Sequence, residues 1–132
     1  MTAVLLDSSV VIAFLRGNAA AVAAVQRCGG LVVTPVVEGE VRLGFRASPR
    51  PQEERLFAEL LSSPRITRTA IDAETAVRWV TIVDALRRAG TPVPANDSWI
   101  AASAMQHGLR VLTTDPHFER IPQILVERIE PA

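Results

Sequence analysis

Near the beginning of the 132-residue chain stands the stretch Val4-Leu5-Leu6-Asp7-Ser8-Ser9, and the fold class follows from the way this pattern recurs. Its three apolar residues form a continuous run, which is typical of a strand buried on both faces of a parallel sheet. The polar residues that follow are common at the start of a helix, and the apolar segment Val10–Leu15 continues that helix. A buried strand that leads directly into a helix indicates an α/β arrangement.

The same pattern returns further along the chain. A second apolar run, Leu31-Val32-Val33, is followed by Thr34-Pro35, which predicts the N-cap and first residue of a helix. Further strands are expected at Arg65–Thr69, Arg110–Thr113 and Ile124–Ile129. Helices are expected at Ala19–Arg27, Val36–Arg46, Gln52–Leu61 and Asp72–Ala89, and a last helix is capped by Asn96 and ends at His107. This alternation predicts an α/β fold: one domain, residues 1–132, with a mainly parallel central sheet and helices on both faces.

The composition is that of one ordinary globular domain, with 48% hydrophobic and 21% charged residues, and it excludes a disordered or collagen-like chain. The formal net charge is zero, from 14 basic and 14 acidic residues, whereas a nucleic-acid binder is usually more basic. All 14 basic residues are arginine. Mechanisms that need a lysine amine are therefore excluded.

No apolar stretch reaches the roughly 18–20 residues that cross a bilayer, and Asp7 interrupts the early apolar run. We therefore expect a cytoplasmic protein with no membrane partner and no signal sequence. The single cysteine, Cys28, has no partner for an internal disulfide and is expected to be a small buried hydrophobe.

Acidic residues follow two of the predicted strands. Asp7 comes directly after the first strand, and Asp115 follows the strand Arg110–Thr113 after one more residue. Ligands of open α/β sheets bind beyond the carboxyl ends of strands. Each residue also has a plain structural interpretation, since Asp7 could cap a helix and Asp115-Pro116 is a common turn pair.

Asp97 is harder to explain by structure alone, because on a helix it shares one face with the apolar residues Ile100, Ala101 and Ala104. A carboxylate in line with such a stripe is expected to lie at the edge of the core. Periodicity cannot choose between Glu38 and Glu40, which flank the inner face of their helix at similar angles.

Several acids at one edge of a sheet require a cation. Two carboxylates about 4 Å apart repel by about 4 kcal/mol at an effective dielectric constant of about 20, and Mg²⁺ or Mn²⁺ removes that cost. Neither histidine has the spacing of a zinc site. A carboxylate site for Mg²⁺ indicates phosphate chemistry.

The four acids stand in motifs that resemble those of PIN-domain ribonucleases, and most of all the VapC-type toxins of bacterial toxin–antitoxin pairs. The motifs are Asp7 in Leu5–Ile12, Glu40 in Glu40–Gly44, Asp97 in Asn96–Ala102 and Asp115 in Leu112–Phe118. They occur in the order of the family, and the resemblance runs from Val4 to about Ile124. In that family, the acidic residue on this helix stands four residues before a glycine. Glu40 and Gly44 have this spacing, so the resemblance selects Glu40 as the site residue, and Glu38 is expected to be a solvated neighbour.

The resemblance implies a metal-dependent endoribonuclease in which Asp7, Glu40, Asp97 and Asp115 hold one or two Mg²⁺ or Mn²⁺ ions. Water activated by the metal would attack the phosphorus in line and leave 5′-phosphate and 3′-hydroxyl ends. Ser9 and Thr113 would orient the carboxylates through their hydroxyl groups. The family also implies a homodimer and a cognate antitoxin whose C-terminal segment covers the active site, often with an arginine near the acids.

The residues fit other functions less well. A receiver domain needs a lysine that is absent, and a haloacid-dehalogenase-type phosphatase needs an aspartate where Ser9 stands. A PIN subclass that acts on structured DNA usually has a larger chain. The alternative that stays open is a non-catalytic PIN-fold module that binds RNA or a partner protein.

A local excess of arginine between residues 42 and 68 bears on RNA binding. Arg42 and Arg46 are either solvated side chains or part of a rim that contacts RNA phosphates. The rings of Trp79, Trp99 and Phe57 could stack on bases, but core or dimer contacts are the favoured interpretation.

Overall fold

A computed structural model of the chain describes residues 3–130. The strands are β1 (Ala3–Leu6), β2 (Gly30–Val33), β3 (Ile66–Arg68), β4 (Arg110–Thr113) and β5 (Val126–Arg128). The helices are α1 (Ser8–Leu15), α2 (Ala19–Arg27), α3 (Pro35–Ala47), α4 (Pro51–Leu61), α5 (Ala73–Ala89) and α6 (Ala95–His107), with a short 3₁₀ turn at Pro116–Arg120. The predicted α/β architecture is confirmed.

The described strands form one five-stranded sheet in the order β3-β2-β1-β4-β5, and every pairing in it is parallel. In the central strand β1, Leu5 is paired with Val32 on one side and Val111 on the other. Its side chain is fully buried, which explains the continuous apolar run in the sequence.

The strand order reverses between β1 and β4. Because β-α-β crossovers are right-handed, α1–α4 cover one face of the sheet and α5 and α6 cover the other. The crevice at the carboxyl ends of β1 and β4 is the topological switch point, where ligands of open α/β sheets bind.

The core joins the sheet to the small apolar face of α6. Ile100, Ala101 and Ala104 are each at most 1% exposed, as the stripe predicted. The rings of Trp79 and Trp99 stack with centroids 4.8 Å apart and Phe57 is buried, so these aromatic residues make contacts within the fold. The Cys28 thiol is also buried and donates to the Ala24 carbonyl at 3.1 Å.

The predicted start of α6 is wrong by two residues, because Asn96 was expected to be the N-cap. Pro94 occupies the N-cap position with φ -54° and ψ 147°, angles that the proline ring favours. Asn96 therefore lies inside the first turn instead of capping it, and its amide is free to reach another helix. The strands β3 and β5 are shorter than predicted. The helix α5 begins at Ala73, one residue later than predicted, and the Asp72 side chain caps it through a capping box with Thr75.

Within residues 3–130, no single helix has the length and apolar character needed to cross a membrane. The pair α1 and α2 meets those criteria only when both are taken together, and they are bent by 113° at the break between them.

The central strand should carry a large share of the stability. We expect Leu5→Ala to lower the free energy of unfolding by about 2–5 kcal/mol, because it opens a cavity in the core against the central strand. Leu125→Ala is the matched control, since that side chain is 74% exposed and its loss should change stability by no more than about 0.5 kcal/mol. Urea unfolding followed by circular dichroism measures both; equal effects would contradict the packing described here.

Candidate metal centre

Four acidic side chains surround the switch point. Asp7 directly follows β1, Asp115 follows β4 by two residues, Asp97 lies in the first turn of α6 and Glu40 lies in the second turn of α3. The negative charges of the other three each raise the pKa of Asp97. The fold therefore brings together the four carboxylates that the sequence motifs singled out.

Asp97 is the most strongly perturbed member of this cluster. Asp97 is only 8% exposed, and the pKa of its carboxyl group is raised from 3.8 to about 7. Burial is the largest cause, followed by repulsion from Asp7, Asp115 and Glu40, while the nearby His117 opposes the shift. Near neutral pH this carboxylate needs a proton or another cation.

The Asp7 carboxylate does not cap α1, although the residue stands at the N-cap position and its backbone carbonyl accepts from Val11. Its Oδ2 instead accepts hydrogen bonds from the Ser9 hydroxyl at 2.7 Å and the Thr113 hydroxyl at 2.9 Å. Its Oδ1 is buried and has no hydrogen-bond partner. One oxygen is thus held in place and the other is left for a ligand.

The two hydroxyl groups also fix the chain that leads to Asp115. The Ser9 and Thr113 oxygens lie 3.1 Å apart. The Thr114 backbone N–H donates to Ser9 Oγ at 3.0 Å, and the Asp115 backbone N–H donates to Thr113 Oγ1 at 2.9 Å. The ends of β1 and β4 are therefore tied together directly beneath the carboxylates.

The structure distinguishes Glu40 from Glu38. Glu40 Oε2 accepts from the Asn96 side-chain amide at 3.2 Å, and its Oε1 is buried without a partner. Glu38 accepts two hydrogen bonds from the Arg68 guanidinium, at 2.6 and 3.0 Å, and lies 3.7 Å from Arg42. Glu38 was expected to be a solvated neighbour; it is instead ion-paired, because β3 brings Arg68 beside α3.

His117 belongs to the cluster, and the sequence analysis missed it. Its Nδ1 lies 3.0 Å from Asp115 Oδ1 and 3.5 Å from Asp97 Oδ2, and its backbone N–H donates to Asp115 Oδ1 at 2.9 Å. Its spacing from the other histidine does not indicate a metal site, since its partner Asp97 is distant in the chain. The Asp115-Pro116-His117 spacing was the available signal.

The residues of this cluster fit a divalent cation. Buried carboxylate oxygens without hydrogen-bond partners are unfavourable, and Asp7 and Glu40 each contribute one. Asp97, Asp115 and His117 offer ligand atoms that all lie within 4.8 Å of one another. Among residues 3–130, no arginine forms an ion pair with any of the four acids, so their charge is left for another cation to balance.

The family model of the PIN domain matches residues 4–124. The chain belongs to the PIN-domain family. It is 36% identical over 95 residues to Ribonuclease VapC4 of Mycobacterium tuberculosis (strain ATCC 25618 / H37Rv), which covers 71% of this chain and 73% of that protein. This similarity places the PIN domain among the VapC-type members, as the motifs implied.

Solved structures agree with this assignment. A chain of VapBC-5 from Mycobacterium tuberculosis, a member of the VapBC family of toxin-antitoxin systems, superposes with a TM-score of 0.76 at 27% identity, over 97% of this PIN domain and 99% of that chain. A chain of VapBC2 from Rickettsia felis, crystallised with a promoter DNA fragment, gives a TM-score of 0.87 over 98% and 100% of the two chains. At 17% identity, the second similarity shows the fold alone.

The pKa of Asp97 predicts how the stability of the PIN domain depends on pH without divalent metal. Its folded-state pKa of about 7 exceeds the ordinary value of 3.8, so between these pH values the unfolded chain has lost a proton that the folded protein keeps. This contribution to stability is present at low pH and is lost as the pH rises through about 7. The Asp97→Asn side chain does not titrate. The free energy of unfolding of this variant, relative to that of the wild type, should therefore be higher at pH 7.5 than at pH 4.5.

Urea unfolding in the presence of a chelator at both pH values measures the difference. Parallel pH profiles for the two proteins would show that Asp97 carries no such shift. Adding MgCl₂ at pH 7.5 should stabilise the wild type and leave Asp97→Asn almost unchanged.

Proposed function

We propose that this PIN domain is a divalent-cation-dependent endoribonuclease, the toxin of a toxin–antitoxin pair, and that it hydrolyses phosphodiester bonds of RNA. The observation that carries the proposal is the cluster of Asp7, Glu40, Asp97 and Asp115, in which two buried carboxylate oxygens have no partner. The relative named Ribonuclease VapC4 supports RNA as the substrate.

The four carboxylates would hold Mg²⁺ or Mn²⁺ at the switch point. The cation, when bound, supplies Lewis acidity that stabilises negative charge on the oxygens of the phosphate. The Ser9 and Thr113 hydroxyls keep Asp7 Oδ2 occupied, and Oδ1 would be the atom that holds the cation. Such surrounding hydrogen bonds fix the orientation of ligands and tune their affinity.

Asp97 and Glu40 have separate roles in this proposal. Asp97, whose pKa is raised to about 7, would exchange its proton for the cation. The Asn96 amide holds Glu40 Oε2 at 3.2 Å, which keeps the second turn of α3 beside the first turn of α6. The carboxylates from two helices and two strand ends thus converge on one site for the phosphate of the substrate.

RNA would approach over α3, the helix that carries Glu40. Arg42 and Arg46 lie on the same helix and are exposed. The Arg42 guanidinium stacks on the Phe57 ring at 5.5 Å from its centroid, which keeps its charge at the surface. Both arginines are assigned to RNA phosphates in this proposal.

An antitoxin is the second partner we propose. The solved relative VapBC-5 is a member of a family of toxin-antitoxin systems. The cluster of this chain has no internal arginine partner among the described residues, so an arginine from an antitoxin segment could bind it. The homodimer and the cytoplasmic location stay predictions from the sequence.

The nuclease proposal predicts a sharp difference between two glutamates on one helix. Cleavage of an RNA panel in Mg²⁺ or Mn²⁺ should fall at least about 100-fold in Asp97→Asn and Glu40→Gln, because changes in residues around ligands already cost about 10–100-fold. Glu38→Gln is the matched control: it makes the same chemical change two residues from Glu40, and its activity should stay close to that of the wild type.

Cleavage that persists in a chelator, or full activity of Asp97→Asn, would rule out the metal mechanism. Tight RNA or partner binding by the wild type without any cleavage would favour the non-catalytic PIN-fold module instead.

The arginine assignment predicts a change in salt dependence. Arg42→Gln combined with Arg46→Gln should weaken binding of a single-stranded RNA and reduce the slope of log K against log salt by about 1.4, the value for two lost phosphate contacts. The control pair is Arg27→Gln with Arg110→Gln, which removes the same charge from two residues that pair with Glu127 at the opposite edge of the sheet. Fluorescence anisotropy over a range of KCl concentrations measures the slopes, and equal slopes for the two double variants would reject the assignment.

A further inference from the structure

The imidazole of His117 lies against two carboxylates of the cluster. Its Nδ1 lies 3.0 Å from Asp115 Oδ1 and 3.5 Å from Asp97 Oδ2. The backbone around the ring is fixed on both sides. The His117 backbone N–H donates to Asp115 Oδ1 at 2.9 Å, and the next residue, Phe118, is fully buried. The ring nitrogen therefore faces the cluster because the 3₁₀ turn is anchored on both sides.

These separations are those of neighbouring ligands on one cation. Two ligand atoms about 2.1 Å from a metal ion, at right angles to each other, lie about 3.0 Å apart. The Nδ1–Asp115 distance matches this value, and the Nδ1–Asp97 distance corresponds to a slightly wider angle. All three ligand atoms lie within 4.8 Å of one another, close to the separation of about 4.2 Å between two ligand atoms on opposite sides of one ion.

A second observation points to a ligand at the same place. Asp7 is 2% exposed, its Oδ2 is tied back by two hydroxyl groups, and its Oδ1 has no partner. Glu40 Oε1 is also buried without a partner. His117 cannot be the partner of all of these oxygens, because Nδ1 carries at most one hydrogen.

We infer that His117 is a ligand of the cation through Nδ1, and that this nitrogen makes the site prefer Mn²⁺ to Mg²⁺. The inference rests on the proposed metal-dependent function and names a further residue and the metal. Mg²⁺ takes oxygen ligands and keeps its waters, whereas the transition metals also accept imidazole. The Nε2–H tautomer leaves the lone pair of Nδ1 free to bind.

The competing explanation is that His117 is a counter-ion, a protonated ring that neutralises Asp97 and Asp115. The two explanations predict opposite changes in metal affinity when the His117 ring is removed. Removing a ligand weakens metal binding, whereas removing a competing positive charge strengthens the binding of any cation.

The test uses the full chain titrated with MnCl₂ or MgCl₂ by calorimetry. We expect His117→Ala to raise the Kd for Mn²⁺ at least about 10-fold and to change the Kd for Mg²⁺ less than about threefold, since a water replaces the ring. His117→Asn, which places an amide oxygen near the position of Nδ1, should also lose the preference for Mn²⁺. His107→Ala is the matched control, because His107 is the only other histidine and lies at the far end of α6.

The coordination itself is read by electron spin-echo spectroscopy of bound Mn²⁺. A nitrogen hyperfine coupling in the wild type and in His107→Ala, absent from His117→Ala, is the expected result. Bound Mn²⁺ without nitrogen coupling in the wild type, or tighter binding of both metals by His117→Ala, would overturn the inference while metal-dependent RNA cleavage stands. A wild-type protein that binds neither metal and cuts no RNA would overturn the proposed function as well.

Discussion

Repulsion between buried carboxylates at the carboxyl ends of β1 and β4 is the constraint on which the rest of the site depends. Asp97 shows its strength, since burial and three like charges raise its pKa to about 7. The fold holds this charge in place with neutral groups: the Ser9 and Thr113 hydroxyls on Asp7, and the Asn96 amide on Glu40. Such an arrangement positions the oxygens without neutralising them, which suits a site that a cation completes.

The zero net charge of the chain follows from the same constraint. Setting the four acids aside leaves 14 arginines and 10 acidic residues, a mildly basic remainder. Many of these acids are paired with arginine, as Glu38 is with Arg68 and Glu127 is with Arg27 and Arg110. A neutral sum is therefore compatible with an RNA partner, because the negative charge is concentrated where a divalent cation would bind.

The sequence predicted the parts of this site that follow from local pattern. Asp7 and Asp115 could be placed because strand ends are readable from apolar runs, and Asp97 because its helix face is apolar. The choice of Glu40 over Glu38 needed the family motif, since the physical difference lies in Arg68 and Asn96, which are remote in the chain. His117 was missed for the same reason: its partner Asp97 is brought near only by the packing of α6 against β4.

The most direct test of this account is the anomalous scattering of a crystal grown with Mn²⁺. We expect a strong peak within about 2.0–2.3 Å of Asp7 Oδ1 and of the Asp97 and Asp115 carboxylates, at the switch point between β1 and β4. A crystal that binds Mn²⁺ elsewhere, or whose carboxylates remain packed together without a peak, would contradict it.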